Sequence, residues 1–292
     1  MTMKMMRYKP MLAYPVSDKP IDYSKPTFIQ PKLDGVRCVI QYGDGVSPGV
    51  KAYSRTGKPW LNIDHILKEL APFFMKYPHV VLDGELYNHD LRDDFEKIIS
   101  LVRKTKPTDK DRLEASKKTQ FHCYDVIFEN NKEVSYERRR GFLGDHLYYG
   151  YRTINIIDNQ FIFSDKAAQK YHKINLKKGY EGSIVRTNDP YQCKRSHNLR
   201  KIKDFSDAEA TIIGFAEGKG KRVGTLGKFI MRDSEGVEFG CPPGKGYNYH
   251  DLEYILKNID SYIGKKATFT YFERTKANSY RHPHYKALRN YE

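Results

Sequence analysis

The chain has 292 residues, with 51 Lys and Arg against 36 Asp and Glu, which leaves a formal net charge of +15. A hydrophobic share of 39%, with 23 Tyr and 15 Phe, supplies enough apolar surface for folded cores and excludes global disorder. No stretch approaches the roughly 18 consecutive apolar residues of a membrane span, and the Met-rich start lacks the apolar segment of a signal peptide. We therefore expect one or two unsecreted globular domains with no membrane segment.

The surplus of positive charge favours a polyanionic partner, and nucleic acid is the first candidate. A lysine-rich surface without a binding role is the alternative. The cysteines are far apart and form no CxxC pair, so the sequence predicts neither a zinc site nor a disulfide framework.

The first two thirds of the chain predict a mixture of strands and helices. Residues 27–42 indicate two short strands around a Lys-Leu-Asp-Gly turn. Further strands are predicted at 51–57, 80–87, 121–128, 181–187 and 199–205, and helices at 62–77, 93–102, 136–147 and 165–177. Ser164 is the predicted N-cap of the last helix and Gly179 its C-terminal stop. The basic stretch 101–120 is interpreted as an exposed loop that contacts phosphates or solvent.

After Asp204 the pattern changes to short strands with glycine turns. These strands are predicted at 209–218, 227–233, 236–242, 266–273 and 284–291, with one helix at 250–258. Five short strands and one helix suit a small Greek-key barrel of the oligonucleotide-binding (OB) type. The sequence thus predicts an α+β domain over residues 1–204, followed by a small β-barrel domain over residues 205–292.

Lys32 is the strongest chemical signal in the sequence. It lies in PKLDGVR, where Gly35 permits a tight turn, Asp34 can bind a metal and Arg37 can hold a phosphate. Such surroundings suit an amine nucleophile. Neighbouring cations would lower the pKa of the amine and favour its reactive neutral form. The K-x-D-G pattern alone is weak, and an ordinary surface turn is its alternative.

Further motifs follow Lys32 in a fixed order. They are YSRTGK (53–58), LDGEL (82–86), HCYDVIF (122–128), EGSIV (181–185) and LRKIKDF (199–205). Together with PKLDGVR, this series resembles the six successive motifs of covalent nucleotidyltransferases. With RHPHYKALR at 281–289, the chain is most similar to the compact ATP-dependent DNA ligases of viruses and bacteriophages.

The resemblance implies a nucleotidyltransferase (adenylation) domain followed by an OB-fold domain, and it implies roles for single residues. Lys32 would attack the α-phosphate of ATP and hold AMP as a phosphoramidate, while Lys201 and Lys203 contact that phosphate. Arg37 and Arg55 would bind ribose or the 5′-phosphate of a nick.

The remaining roles concern the base, the ribose, the metal and the leaving group. Glu85 would accept hydrogen bonds from the ribose, Tyr124 would stack on adenine, and Gln30 is a weaker candidate for an adenine contact. Asp34 and Glu181 would bind Mg²⁺. Arg281 and Arg289 would bring positive charge to the departing pyrophosphate.

The expected reaction is the sealing of nicks in duplex DNA through a lysyl-AMP and a DNA-adenylate. The expected cofactors are ATP and Mg²⁺, and ATP is favoured over NAD because 31 residues ahead of Lys32 leave no room for a nicotinamide-recognition domain. The expected protein is a monomer in the cytoplasm of an infected bacterial cell. The stretch 215–229 is short and basic, which leaves open how DNA is enclosed.

Two alternatives stay open at this stage. An RNA ligase or a GTP-dependent capping enzyme of the same superfamily would share most of these motifs. A nucleic-acid-binding protein with a degenerate catalytic half is the alternative from another class.

Overall fold

The computed structural model describes residues 6–43, 49–92, 94–275 and 278–289. The chain divides into two units, Met1–Lys203 and Asp204–Glu292. The division lies one residue before the boundary predicted at 204/205. Within the described ranges, no helix is both long and apolar enough to cross a bilayer.

The first unit contains ten strands and five α-helices among its described residues. The strands are β1 (Leu12–Pro15), β2 (Thr27–Lys32), β3 (Val36–Tyr42), β4 (Val50–Tyr53), β5 (Val80–Tyr87), β6 (Gln120–Phe128), β7 (Ile154–Ile156), β8 (Gln160–Ile162), β9 (Gly182–Thr187) and β10 (Arg195–Ile202). The helices are α1 (Asp64–Lys76), α2 (Phe95–Val102), α3 (Asp109–Lys118), α4 (Tyr136–Leu147) and α5 (Asp165–Lys177).

Two five-stranded sheets organise this unit. One sheet has the order β1-β10-β9-β2-β8, and the other has the order β4-β3-β5-β6-β7. Helices α1 and α4 bury apolar residues in the core of the second sheet, where Phe74 and Leu143 have no exposed surface. The apolar spacing that predicted both helices therefore marks the faces that pack against this sheet.

Helix α5 shows how local sequence sets its ends. The Ser164 hydroxyl accepts a hydrogen bond from the Ala167 amide at 3.2 Å, which satisfies one free N–H of the first turn. Gly179 follows the helix with φ of 82°, a left-handed conformation that glycine adopts without steric cost. Both predicted end signals are confirmed.

The basic stretch 101–120 is not a plain loop, and the loop interpretation was wrong. Helix α3 occupies Asp109–Lys118 and begins with a reciprocal capping box between Thr108 and Asp111. Its N-cap threonine and the aspartate three residues later are a recognisable start signal, but most of its face is polar and gives no apolar period. Only Ala115 is buried on this helix, so its sequence has no apolar period from which the helix could be predicted.

The second unit contains seven strands and one α-helix among its described residues. These are β11 (Ser206–Glu217), β12 (Leu226–Arg232), β13 (Glu238–Cys241), α6 (Tyr249–Lys257), β14 (Lys266–Tyr271), β15 (Glu273–Arg274), β16 (Tyr280–Arg281) and β17 (His284–Leu288). Five strands form a sheet in the order β13-β12-β11-β14-β17, and β15 pairs with β16.

This sheet folds around an apolar core that includes Phe229, Met231 and Phe269. The predicted five strands and their helix are confirmed as an OB-like arrangement. A single bridge joins Pro243 to Tyr285, but within the described part of the chain no strand pairing closes the sheet into a barrel.

Gly84 lies in β5 where strands and an aromatic ring leave no room for a side chain. A Cβ at this position would lie 2.5 Å from the His122 carbonyl oxygen and 2.5 Å from the Phe121 ring. We predict that Gly84→Ala lowers the free energy of unfolding by about 1–3 kcal/mol, the usual cost of overpacking. Urea denaturation measures the change.

Gly141 in α4 provides the matched control, because a Cβ there would meet no atom within 4 Å. Gly141→Ala should raise the free energy of unfolding by about 0.5–1 kcal/mol through helix propensity. Equal stability of the two variants would contradict the steric argument.

Candidate active site

Three neighbouring strands bring the candidate nucleophile together with the other charged groups. Lys32 is the last residue of β2 and pairs with Gly182 at the start of β9. The Glu181 amide donates a hydrogen bond to the Lys32 carbonyl at 3.1 Å. On the other side of β9, Lys201 of β10 pairs with Ile184, and Lys203 follows shortly after. Lys32 and Glu181, 149 positions apart in sequence, therefore meet at one end of this sheet.

The Glu181 carboxylate joins two of the lysines. One of its oxygens accepts a hydrogen bond from Lys32 Nζ and the other accepts one from Lys203 Nζ. The Glu181 side chain is only 4% exposed, so its charge is stabilised mainly by these two ammonium groups. The two hydrogen bonds hold both lysine side chains at the same carboxylate.

Lys201 lies beside this cluster, but its electrostatic environment differs from that of Lys32 and Lys203. Partial burial lowers the pKa of Lys201, and the positive charges of Lys32 and Arg195 lower it further. A cation with a depressed pKa is stabilised when a polyanion neutralises the surrounding charge. The position therefore favours binding of phosphate oxygens.

The second sheet places Arg37 and Glu85 opposite each other on β3 and β5. The Arg37 guanidinium donates to both carboxylate oxygens of Asp83, at 2.6 Å and 2.5 Å, and to the Met11 carbonyl at 3.0 Å. Asp83 is 1% exposed and also accepts a hydrogen bond from the Tyr191 hydroxyl at 2.6 Å. In this structure the guanidinium thus has an internal partner, which the sequence did not predict. The predicted phosphate or ribose contact of Arg37 stays a prediction.

Glu85 and Tyr124 lie next to each other on β5 and β6. The Tyr124 hydroxyl donates to a Glu85 carboxylate oxygen at 3.2 Å and lies 3.2 Å from the Gly84 carbonyl. Burial raises the pKa of Glu85 to about 7, although the charges of Arg37 and Lys32 oppose the shift.

The Tyr124 ring lies near two cations, of which Arg186 is buried. Its centroid is 5.1 Å from Arg37 Cζ and 5.3 Å from Arg186 Cζ, distances typical of cation–π contacts. Gln30 of β2 lies near the same arginine, and its side-chain oxygen accepts a hydrogen bond from Arg186 Nε at 2.5 Å. The predicted base-binding residues, Gln30 and Tyr124, thus share Arg186 as a neighbour.

The four remaining predicted residues lie in other elements of the fold. Asp34 lies in the turn between β2 and β3, and Arg55 is exposed in the turn after β4. Arg281 and Arg289 belong to the second unit, where they pair with Glu273 and Glu209 respectively. Within the described residues, no group of three or more His, Cys, Asp or Glu side chains forms a metal site.

Sequence reasoning missed the buried ion pairs behind the site. Asp83 and Asp125 lie in the strand motifs LDGEL and HCYDVIF, and both are at most 1% exposed. An acidic residue inside an otherwise apolar strand requires a partner, because an unpaired buried charge is very costly. That rule signals the existence of cationic partners, but the strand pattern does not identify them.

Comparison with known proteins agrees with this arrangement. The family model of the ATP dependent DNA ligase domain matches residues 10–203, and that of the DNA ligase OB-like domain matches residues 217–289. The chain belongs to the ATP-dependent DNA ligase family. The resemblance inferred from the motif order is confirmed, as is the fold class of a nucleotidyltransferase domain followed by an OB-like domain.

Individual relatives support the same assignment. The DNA ligase of African swine fever virus (isolate Tick/South Africa/Pretoriuskop Pr4/1996) is 31% identical over 208 residues, which cover 68% of this chain and 46% of the relative. The DNA ligase of Haemophilus influenzae (strain Rd) is 27% identical over 246 residues, covering 83% and 80%. The chain spans about half the length of the viral relative.

A solved structure of a Lig E DNA ligase has the same fold. It matches with a TM-score of 0.77 and 23% identity, over 97% of this chain and 100% of that chain.

The raised pKa of Glu85 predicts a pH-dependent stability. The folded state binds this proton more tightly than the unfolded state, whose ordinary value is 4.5. The stabilisation is complete at low pH and is lost as the pH rises through about 7. Glu85→Gln removes this titration, so the variant should gain about 1–2 kcal/mol relative to the parent between pH 5 and pH 8, after discounting for partial exposure.

Thermal denaturation at these two pH values measures the difference. Glu96→Gln, at an exposed position in α2, is the matched control and should show no such gain. A constant difference between Glu85→Gln and the parent at both pH values would contradict the raised pKa of Glu85.

Proposed function

We propose that the protein is an ATP-dependent DNA ligase that seals nicks in duplex DNA through a lysyl-AMP on Lys32. The supporting observation is the meeting of Lys32 and Lys203 on the buried Glu181 carboxylate, in a chain of the ATP-dependent DNA ligase family. A lysine in such a cluster of positive charge suits attack on a phosphate, because the surrounding cations stabilise the charge that develops there.

In the first step, the neutral amine of Lys32 attacks the α-phosphate of ATP. A P–N bond forms, the bond from the α-phosphorus to the bridging oxygen breaks, and pyrophosphate leaves with the electron pair. The Lys32 ammonium must first release one proton to bulk water, since an ammonium has no lone pair for the attack. Lys201 and Lys203 donate to the nonbridging oxygens, where negative charge increases in the transition state.

The nucleotide is bound by the second group of predicted residues. The Glu85 carboxylate accepts hydrogen bonds from the ribose hydroxyls, and its hydrogen bond from Tyr124 fixes its orientation. The Tyr124 ring stacks on adenine and Gln30 contacts the base edge. Arg37 and Arg55 bind the ribose or the 5′-phosphate of the nick.

Mg²⁺ is the proposed metal, with Asp34 and Glu181 as its protein ligands. The ion prefers oxygen ligands and often uses only one or two carboxylates together with substrate phosphates, so this pair fits it. Glu181 has both oxygens directed into the lysine cluster, toward the place where we position the phosphates. When bound, Mg²⁺ would supply positive charge at the transferring phosphate.

The later steps use the DNA. AMP passes from Lys32 to the 5′-phosphate of a nick, and the 3′-hydroxyl then attacks that phosphate and expels AMP.

We propose that residues 1–204 form the adenylation domain and residues 205–292 the OB-fold domain. Arg281 and Arg289 of the latter serve the departing pyrophosphate. We further propose a monomer that acts in the cytoplasm of an infected bacterial cell.

The test is denaturing electrophoresis of a nicked DNA duplex labelled at the 5′-phosphate of the nick, with Mg²⁺ and either ATP or GTP. We predict sealing with ATP, and a loss of at least about a thousandfold in Lys32→Ala, because no other group replaces the covalent nucleophile. Lys25→Ala, which removes an exposed lysine of the same unit, is the matched control and should seal at the parent rate.

Each alternative has its own outcome in this assay. Joining of a nicked RNA duplex but not of DNA would replace the proposal with an RNA ligase, and nucleotide transfer from GTP alone would replace it with a capping enzyme. Full sealing by Lys32→Ala would reject the covalent mechanism.

A further inference from the structure

Arg186, in β9, has no role in the function proposed above, yet it contacts both of the predicted base-binding residues. Its side chain is buried, with a residue exposure of 3%, and its Cζ lies 5.3 Å from the Tyr124 ring centroid. Its Nε donates to the Gln30 side-chain oxygen at 2.5 Å. A buried arginine with these neighbours is a candidate to orient them.

The strand register explains why Arg186 reaches Gln30. Gln30 pairs with Ile184 and Arg186 pairs with Phe28, so the two residues are diagonal neighbours on adjacent strands. Side chains repeat every two residues along a strand, which puts Gln30 on the same face of β2 as Lys32. Gln30 is therefore directed to the side of the sheet where the nucleophile lies.

The Gln30 amide has one satisfied end and one unsatisfied end. Its oxygen accepts from Arg186, while its buried Nε2 finds no hydrogen-bond partner among the described residues. The Arg186 donor fixes which end is oxygen, because a guanidinium donates only. A buried donor without a partner is costly, so the geometry points to a ligand that supplies the missing acceptor.

Arg186 is itself held rigidly by a second buried group. Its Nη1 donates to Asp125 at 2.7 Å, and Asp125 has no exposed surface. Arg139 donates to both oxygens of the same carboxylate, at 2.7 Å and 3.2 Å, and is 2% exposed. The Asp125 carboxylate thus fixes Arg186 from the side opposite Gln30.

We propose that Arg186 is a positioning residue for the nucleobase. It holds the Gln30 amide with its amino group directed at the base, where that group donates to an acceptor atom on the purine edge. Asp125 keeps Arg186 in place. The inference rests on the proposed function, because the base in question is the adenine of ATP.

The test is a double-mutant cycle on the ATP dependence of steady-state nick sealing, with Arg186→Lys, Gln30→Ala and the double variant. Arg186→Lys keeps a cation for Asp125 but cannot also present Nε to Gln30. We predict that Arg186→Lys raises the KM for ATP at least about tenfold with little change in kcat, because the contact binds ground and transition states alike. The double variant should have a KM within about twofold of Gln30→Ala alone, because Arg186 acts through Gln30.

Arg139→Lys is the matched control, since Arg139 contacts Asp125 but not Gln30. Its KM for ATP should stay within about twofold of the parent value, even where thermal denaturation shows lost stability. If Arg186→Lys does not fold, Arg186→Gln replaces it in the cycle, because a glutamine can satisfy Gln30 or Asp125 but not both.

The outcomes separate this inference from the proposed function. If the parent forms no covalent AMP, the proposed function fails. If the parent is adenylated but the effects of Arg186→Lys and Gln30→Ala multiply in the double variant, Arg186 has only a structural role and the inference is overturned. An unchanged KM in Arg186→Lys, or an equal rise in Arg139→Lys, would also overturn it.

Discussion

The buried carboxylate of Glu181 is the interaction on which the site depends. It accepts hydrogen bonds from Lys32 and Lys203 at one end of the sheet, where β2, β9 and β10 lie side by side. Without this anion, two ammonium groups would face each other across a poorly solvated space, and their repulsion would favour opening the site. The carboxylate therefore allows the fold to concentrate the positive charge that phosphoryl transfer requires.

The same principle recurs deeper in the first unit. Asp83 is paired with Arg37, and Asp125 is paired with both Arg139 and Arg186. Removing charges from water is expensive, and each acid is tolerated only because its partners are complete. Removing one partner therefore lowers the free energy of unfolding by more than replacing the whole pair with apolar residues. These buried pairs hold the side chains around Tyr124 and Gln30 in fixed positions, which a site that aligns reacting atoms requires.

Sequence patterns predicted the elements whose limits are set by residues close together in the chain. The limits of α4 and α5 match the predicted ranges. Strand β10 ends at Ile202, so Lys203 lies just beyond the regular strand. Motif order then identified the family, because each motif occupies a fixed place in the fold.

The buried ion pairs could not be predicted from such patterns. The hydrogen bond from Arg186 to Gln30 joins residues 156 positions apart, and that from Tyr191 to Asp83 joins residues 108 apart. An alternating strand shows which positions are buried, but not which distant side chain supplies the opposite charge. Helix α3 was missed for a different reason, since its packing uses one small residue and leaves no apolar period.

Lys32 is the proposed nucleophile, and the Glu181 carboxylate holds it in place. Peptide mapping by mass spectrometry, after incubation with ATP and Mg²⁺ but without DNA, tests it most directly. We predict AMP on the peptide that contains Lys32, attached through its Nζ. AMP on Lys201 or Lys203 with Lys32 unmodified, or no covalent AMP at all, would contradict it.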